Sequence, residues 1–192
     1  MRSLRLVIGL GTCAMLLSSC TLIPTASSPD QLSRKEIPFG LLSPSVPGTN
    51  GGHVQFITQP VYIVDVTGQL APSSRIVPSP PALATVLRQL ILGPTQIESA
   101  AGYRSALPKN LVLLSANIKR GVGYIDLATS LASLSRSNEL LAIGQLVLTA
   151  YDVGATRGVE ITVGDVVQQS PLPNGTRATL VTTNDYQRLM NG

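Results

Sequence analysis

Ser79-Pro80-Pro81-Ala82-Leu83-Ala84-Thr85-Val86-Leu87-Arg88-Gln89-Leu90-Ile91-Leu92-Gly93-Pro94 is the stretch from which the fold is read. Leu83, Val86, Leu87, Leu90 and Ile91 fall at i, i+3, i+4, i+7 and i+8, one face of an amphipathic helix. Ser79 is placed to cap it, with Pro80 in the first turn where no donor is needed. Gly93 followed by Pro94 stops it, because glycine takes a left-handed cap and proline cannot continue the helix. Burying five such side chains contributes on the order of 10 kcal/mol before chain entropy. A helix with that face must be packed on something.

The sequence on either side supplies a sheet. Upstream, Val61-Tyr62-Ile63-Val64-Asp65 is a β-rich run opening after Pro60, Thr67-Gly68-Gln69 turns the chain, and Arg75-Ile76-Val77 is a short return strand. Downstream, residues 95–110 read as a loop. Leu111 to Ile118 then places Val112, Leu114, Ala116 and Ile118 on one strand face, and Lys119-Arg120-Gly121 turns into Val122 to Leu127. Gly123 marks a bulge or a close approach of backbone. A second helix is expected from Asn138 to about Val153, capped by Ser137, with a buried stripe of Leu140, Ile143, Gly144, Val147, Leu148 and Tyr151. Gly144 would bring that helix close to the sheet. Val159 to Val163 alternates as a half-buried strand, and Gly164-Asp165 turns into Val166-Val167. Past Gln168 the chain is polar, with an Asn174-Gly175 turn, an edge strand over Ala178 to Val181, and one helical turn over Asp185 to Leu189. The order β-α-β-β-α-β plus a C-terminal hairpin predicts an α+β domain: a small mixed or antiparallel sheet with two helices on one face.

The start of the chain reads differently. Arg2 and Arg5 precede a mostly apolar run from Leu6 to Leu17, too short to span a bilayer, where ~20 residues are needed. Leu17-Ser18-Ser19-Cys20 resembles a bacterial lipoprotein processing site. Leu17, Ser18 and Ser19 would be recognised by the peptidase, and the Cys20 thiol would accept the lipid. This reading removes residues 1–19 and anchors Cys20 at the extracytoplasmic face of the cell membrane. Residues 20–57, punctuated by Pro24, Pro29, Pro38, Pro44 and Pro47, form a tether, of roughly 35 Å as a flexible coil. Within it Ile37-Pro38-Phe39-Gly40-Leu41-Leu42 is apolar enough to dock, on the domain itself or on a partner. The folded domain is then 58–168, and 169–192 is a partly ordered extension.

Composition excludes several function classes. With Arg2 and Arg5 set aside, the 14 basic side chains fall to 12 against 10 acidic ones. That near-neutral balance argues against nucleic-acid binding. Cys13 and Cys20 are the two cysteines, so once the signal is removed and Cys20 lipidated no thiol remains for a disulfide, a metal or a nucleophile. The single histidine, His53, lies in the glycine-rich end of the tether and reads as solvated. A zinc site or a Ser-His-Asp arrangement therefore lacks its parts. Asp65, Asp126, Asp152, Asp165 and Glu160 fall at element ends without a paired spacing for glycoside hydrolysis, and Asp126 reads as facing outward or capping a turn at Thr129 or Ser130. Arg75 and Arg104 are candidates to anchor a partner's acidic group, but as arginines on exposed loops they read as solvated. No cofactor and no metal is called for.

The succession from Val61-Tyr62-Ile63-Val64-Asp65 through Arg75-Ile76-Val77-Pro78 to Leu92-Gly93-Pro94-Thr95 resembles the sporulation-and-germination GerMN domain. The likeness continues through Gly102, Ser105-Ala106-Leu107-Pro108, Leu113-Leu114-Ser115 and Tyr124-Ile125-Asp126-Leu127 with Ser130. It runs on through Gln145-Leu146-Val147-Leu148-Thr149-Ala150 to Gly158-Val159-Glu160-Ile161-Thr162-Val163. It is the order of these blocks that carries it. The apolar 37–42 lead-in after the processing site is similar to single-domain actinobacterial lipoproteins of this family. The resemblance implies a compact, non-enzymatic interaction module like the ring-building motifs of secretion and sporulation assemblies, with no catalytic residues to carry over. The expectation is a membrane-anchored lipoprotein whose domain binds another envelope protein. The alternative is a module for a small ligand, a peptidoglycan fragment or a lipid; an envelope hydrolase is the remaining rival.

Overall fold

The computed structural model of the chain describes residues 54–190. The expected signal segment, the lipidation site at Leu17, Ser18, Ser19 and Cys20, the apolar stretch 37–42 and His53 all lie outside the described residues.

Two nine-residue strands open the domain. β1 (Phe56–Val64) and β2 (Leu70–Pro78) pair antiparallel along their whole length, from Phe56 opposite Pro78 to Val64 opposite Leu70. The sequence reading starts β1 five residues too late, at Val61 after Pro60, and shortens β2 to Arg75–Val77. Phe56 and Ile57, assigned to the tether, belong to β1. Pro60, Pro72 and Pro78 share one parity in this register with Tyr62 and Val64. The N–H groups of Tyr62 and Val64 point out of the hairpin, to the Thr149 hydroxyl at 3.0 Å and the Arg104 carbonyl at 2.8 Å. The prolines thus occupy positions from which the ladder asks no donor.

α1 (Leu83–Ile91) buries Leu83, Val86, Leu87 and Leu90 as the spacing predicts, and Gly93 follows it with φ +81°. Ser79 does not cap it. The helix begins after Ala82, which makes no side-chain cap. A residue before proline is disfavoured in the α region, which excludes both Ser79 and Pro80 from the helix. The expected loop 95–110 contains a short helix, α2 (Gln96–Ala100), closed by a capping box of Thr95 and Glu98.

β3 (Leu113–Lys119) and β4 (Val122–Leu127) form the expected hairpin, its turn made by Arg120 (φ 51°) and Gly121 (φ 79°). The register shifts between Leu113 and Ser115. That irregularity turns Leu113 toward the core and Leu114 outward, reversing the expected face at this point, while Ala116 and Ile118 keep theirs. α3 (Arg136–Val153), capped by Ser135 rather than Ser137, crosses from β4 to β5 (Gly158–Val163), which lies parallel to β4 with Ile125 opposite Ile161. Gly164 and Asp165, both at positive φ, turn into β6 (Val166–Val167). β7 (Ser170–Pro171) pairs with β8 (Arg177–Ala178), and β9 (Leu180–Val181) adds to β5 beside Val159 and Glu160. The main sheet is mixed, in the order β3-β4-β5-β6 with β9 also on β5. Its inner face carries Ile125, Leu127, Val159 and Ile161 against the helices, as the sequence predicts. Gly123 gives close approach without a bulge: a Cβ there would stand 3.0 Å from that of Ala155.

α3 is not the one-striped helix expected. Leu141 through Ala150 are all buried, whereas Tyr151 is exposed. It packs on β1 and β2, on α1, on β5 and β7, and on α4 (Thr183–Tyr186). The residues after 168 are therefore structural. Tyr186 is fully buried, and its hydroxyl donates to the Pro171 carbonyl at 2.6 Å. Gly144 faces this region and β2: a Cβ there would stand 2.7 Å from Leu70 Cδ1 and 3.3 Å from Tyr186 Cδ1.

Gly144→Val is expected to cost about 2 to 3 kcal/mol by overpacking, since glycine and valine differ too little in helix propensity to offset it. Urea unfolding measures it. A loss below ~1 kcal/mol would mean that the Leu70 and Tyr186 side chains yield freely.

Candidate interaction surface

β3 ends the main sheet, and among the described residues no strand pairs with its outer edge. Beside that edge Val112 is 54% and Leu114 50% exposed, the latter because of the register shift. The outer face of the sheet presents Tyr124, Glu160 and Thr162, with Lys119 Nζ 5.9 Å from the Tyr124 ring centroid. This edge is the feature of the sheet most open to another chain.

Of the acidic residues singled out in the sequence, Asp65, Asp126 and Asp152 are engaged in the fold. Asp65 Oδ1 accepts from the Thr67 N–H and hydroxyl and from the Gln69 N–H, closing the β1–β2 turn. Asp126 neither points freely outward nor caps Thr129 or Ser130. Its carboxylate accepts from the Thr162 hydroxyl at 2.6 Å and the Asp165 N–H at 3.1 Å, pinning the β5–β6 turn. The Thr162 bond, then the Asp165 amide, hold its pKa below the ordinary carboxylate value. Asp152 lies beside the Tyr62 hydroxyl. Burial raises both groups, Tyr62 to about 12 with Asp152 adding to the effect. Among the described residues no cluster of three or more His, Cys, Asp or Glu is placed to hold a metal ion, and no helix is long and apolar enough to cross a membrane.

Arg75 is a buried anchor and not a solvated loop residue. Its guanidinium donates to both Glu98 carboxylate oxygens, at 2.9 and 2.8 Å, and to the Gly93 carbonyl at 3.2 Å. Glu98 also accepts from the Ser73 hydroxyl and the Thr95 N–H. Burial alone would raise the Glu98 pKa, but these donors, Arg75 foremost, outweigh it and bring it from 4.5 down to about 2. The signal missed in the sequence is the Thr95-x-x-Glu98 capping box. The cluster ties β2 to the end of α1 and the start of α2.

Two cavities flank the core. One, of about 230 Å³, sits at the carboxyl ends of the parallel strands β4 and β5, beside the first turn of α3. Leu127, Leu131 and Ile161 line it together with Ser170 and the Glu139–Arg177 ion pair, whose closest approach is 2.8 Å. The Ser170 hydroxyl is buried without a hydrogen-bond partner among the described residues. The other cavity, of about 530 Å³, lies past α1 and is lined by Ile91, Leu92, Tyr103 and Leu107, with Arg104 and Lys109.

These features define a class first: a small mixed-sheet α+β domain with two helices on one sheet face. The chain belongs to the Germane family, described as sporulation and spore germination, whose family model matches residues 60–169. Its fold is similar to the first GerMN domain of the sporulation protein GerM from Bacillus subtilis, with a TM-score of 0.52 and 17% identity over 67% of this chain and 99% of that one. It is also similar to the tandem GerMN domains of the same protein, with a TM-score of 0.53 and 16% identity over 68% of this chain and 48% of that one. A protein from Clostridium perfringens described as a lipoprotein matches at a TM-score of 0.42 and 17% identity, over 72% of this chain and 93% of that one. No curated protein matches the chain.

Replacing Glu98 by Gln leaves a buried guanidinium without its counter-charge and is expected to cost about 2 kcal/mol at neutral pH. Because the folded pKa lies near 2 and the ordinary value is 4.5, this contribution is complete above pH 4.5 and is lost as pH falls toward 2. Urea unfolding of both proteins across that window should show the gap closing. A gap independent of pH would break the linkage.

Proposed function

We propose that this protein is a membrane-anchored extracytoplasmic lipoprotein whose GerMN-type domain is a non-catalytic interaction module, binding another protein of the cell envelope. The observation that carries the reading is the outer edge of β3, a seven-residue strand with Val112 and Leu114 turned outward beside it. Strand addition along such an edge combines main-chain hydrogen bonds with side-chain contacts for specificity. Lipidation of Cys20 after Leu17-Ser18-Ser19 would hold the domain at the membrane, with each buried methylene contributing about 0.8 kcal/mol. The tether then raises the domain's effective concentration for partners at that surface. The family's description concerns sporulation and germination; the process served by this chain is to be named by its partner.

Cys20→Ala is expected to release the protein from membranes washed at high salt, which removes electrostatic docking, and to leave its melting temperature unchanged; retention of the processed protein after that wash would overturn the lipid anchor. Crosslinking the full-length protein in its own membrane, with mass spectrometry of the captured neighbours, tests the module. One dominant protein neighbour, lost in Leu114→Lys, is the expected result. Only lipid and glycan adducts would favour the second reading.

That second reading is a small-ligand module, and the cavity at the ends of β4 and β5 is what favours it. Ligands in open sheets of parallel strands sit outside the carboxyl ends of those strands, and the buried Ser170 hydroxyl is a polar group held there without a partner among the described residues. Ser170→Ala should stabilise the free protein by about 1 kcal/mol in urea unfolding, since it removes a buried unsatisfied group. A loss of stability would mean that the hydroxyl already serves the fold.

A further inference from the structure

The part of the domain that carries the larger cavity combines apolar side chains standing in solvent with positive charge that has no ion-pair partner among the described residues. Leu92 is 77% exposed, Ile97 83% and Val66 69%. Leu92 precedes the Gly93-Pro94 link and lines the cavity, Ile97 lies in α2, which follows that link, and Val66 lies against Gly102, just past α2. Arg104 and Lys109 line the cavity, both exposed, and neither side chain has an ion-pair or hydrogen-bond partner among the described residues. No carboxylate lines it. Glu98 is the single acidic residue from Val66 to Ile125, a stretch that holds Arg75, Arg88, Arg104, Lys109, Lys119 and Arg120. That one carboxylate is already bound by Arg75, Ser73 and Thr95.

We propose that this end docks on a bilayer of anionic lipids, with Leu92 and Ile97 entering the acyl boundary and Arg104 and Lys109 holding the oxyanions of lipid headgroups. Charge complementarity selects an anionic partner. Apolar side chains that stand proud of the surface beside exposed cations match a lipid interface, where they can enter the acyl boundary while the cations stay at the headgroups. The cavity walled by Ile91, Tyr103 and Leu107 gives a headgroup or the start of an acyl chain room beside the two cations. The inference is independent of Cys20 lipidation and of the β3 edge, and it fixes which end of the domain faces the membrane.

The test is hydrogen–deuterium exchange of the full chain incorporated into vesicles of phosphatidylcholine alone or of phosphatidylcholine with phosphatidylglycerol. Only the lipid charge differs between the two. Exchange over residues 91–109 is expected to slow about fivefold or more in the anionic vesicles, since each Lys or Arg near such a surface contributes a factor of that order. β6 serves as the internal control and should not change. The slowing should vanish at high salt and in Arg104→Gln/Lys109→Gln, whose exposed positions leave the melting temperature unchanged. Equal exchange in the two vesicles would overturn the proposal, as would protection that survives the double substitution. Protection by a soluble oligoglutamate peptide and not by vesicles would overturn it in favour of an acidic protein partner.

Discussion

The backbone of Tyr62 is held by side chains of a helix, and the arrangement of the domain depends on that. β1 gives one edge to β2; the other is pressed against α3. There the Gln145 amide donates to the Tyr62 carbonyl at 2.8 Å, and the Tyr62 N–H donates to the Thr149 hydroxyl at 3.0 Å. Gln145 also accepts from the Ala106 N–H at 2.8 Å, so one fully buried side chain joins β1 to the segment before β3. A strand edge buried without partners would cost roughly 1 to 3 kcal/mol for each orphaned group. Fixing α3 against β1 in this way also fixes which residues meet elsewhere: Gly144 against Leu70, Gln59 against the Asp152 carbonyl at 3.1 Å, and the middle of α3 against β5.

The same clamp explains where sequence reading succeeds and where it stops. Periodicity reports apolar faces, so α1, β4 and β5 are legible from their spacing. The Arg120-Gly121 and Gly164-Asp165 turns are legible because few residues accept positive φ. α3 defeats the method because Glu139, Gln145 and Thr149 look like a solvated face and are buried. Their polarity is spent on β1 and, for Glu139, on Arg177. In β1 and β2 the prolines look like breaks, and only the register reveals that their missing donors are not wanted. The exchange of Leu113 for Leu114 is set by a shift in pairing, which no one-dimensional pattern contains.

Of the interaction surface, the sequence shows parts without their assembly. Thr95-x-x-Glu98 was readable as a capping box. That the same carboxylate would bind Arg75, far earlier in the chain, needs the α1–α2 connection to fold back on β2. The exposure of Val112 and Leu114 needs both the edge position of β3 and its irregular register. Ser170 carries no sequence signal at all: a serine in a polar, proline-rich stretch gives no hint that β7 and β8 bury it beside the ends of β4 and β5.

Net charge is the quantity that misleads most here. A near-neutral total suggests an even surface, yet the total averages two unlike halves. In the folded domain, residues 54–125 hold two acids, Asp65 and Glu98, against six basic residues, whereas from Asp126 onward six acids face four bases. Asp65 is engaged in the β1–β2 turn and Glu98 is matched by Arg75, so among the described residues no carboxylate lines the larger cavity beside Arg104 and Lys109. What a partner senses within a screening length is that local field and not the sum over the chain. The buried ion pair is itself neutral, so it leaves the local excess to Arg88, Arg104, Lys109, Lys119 and Arg120, and it is these exposed cations rather than the pair that make this part of the domain positive.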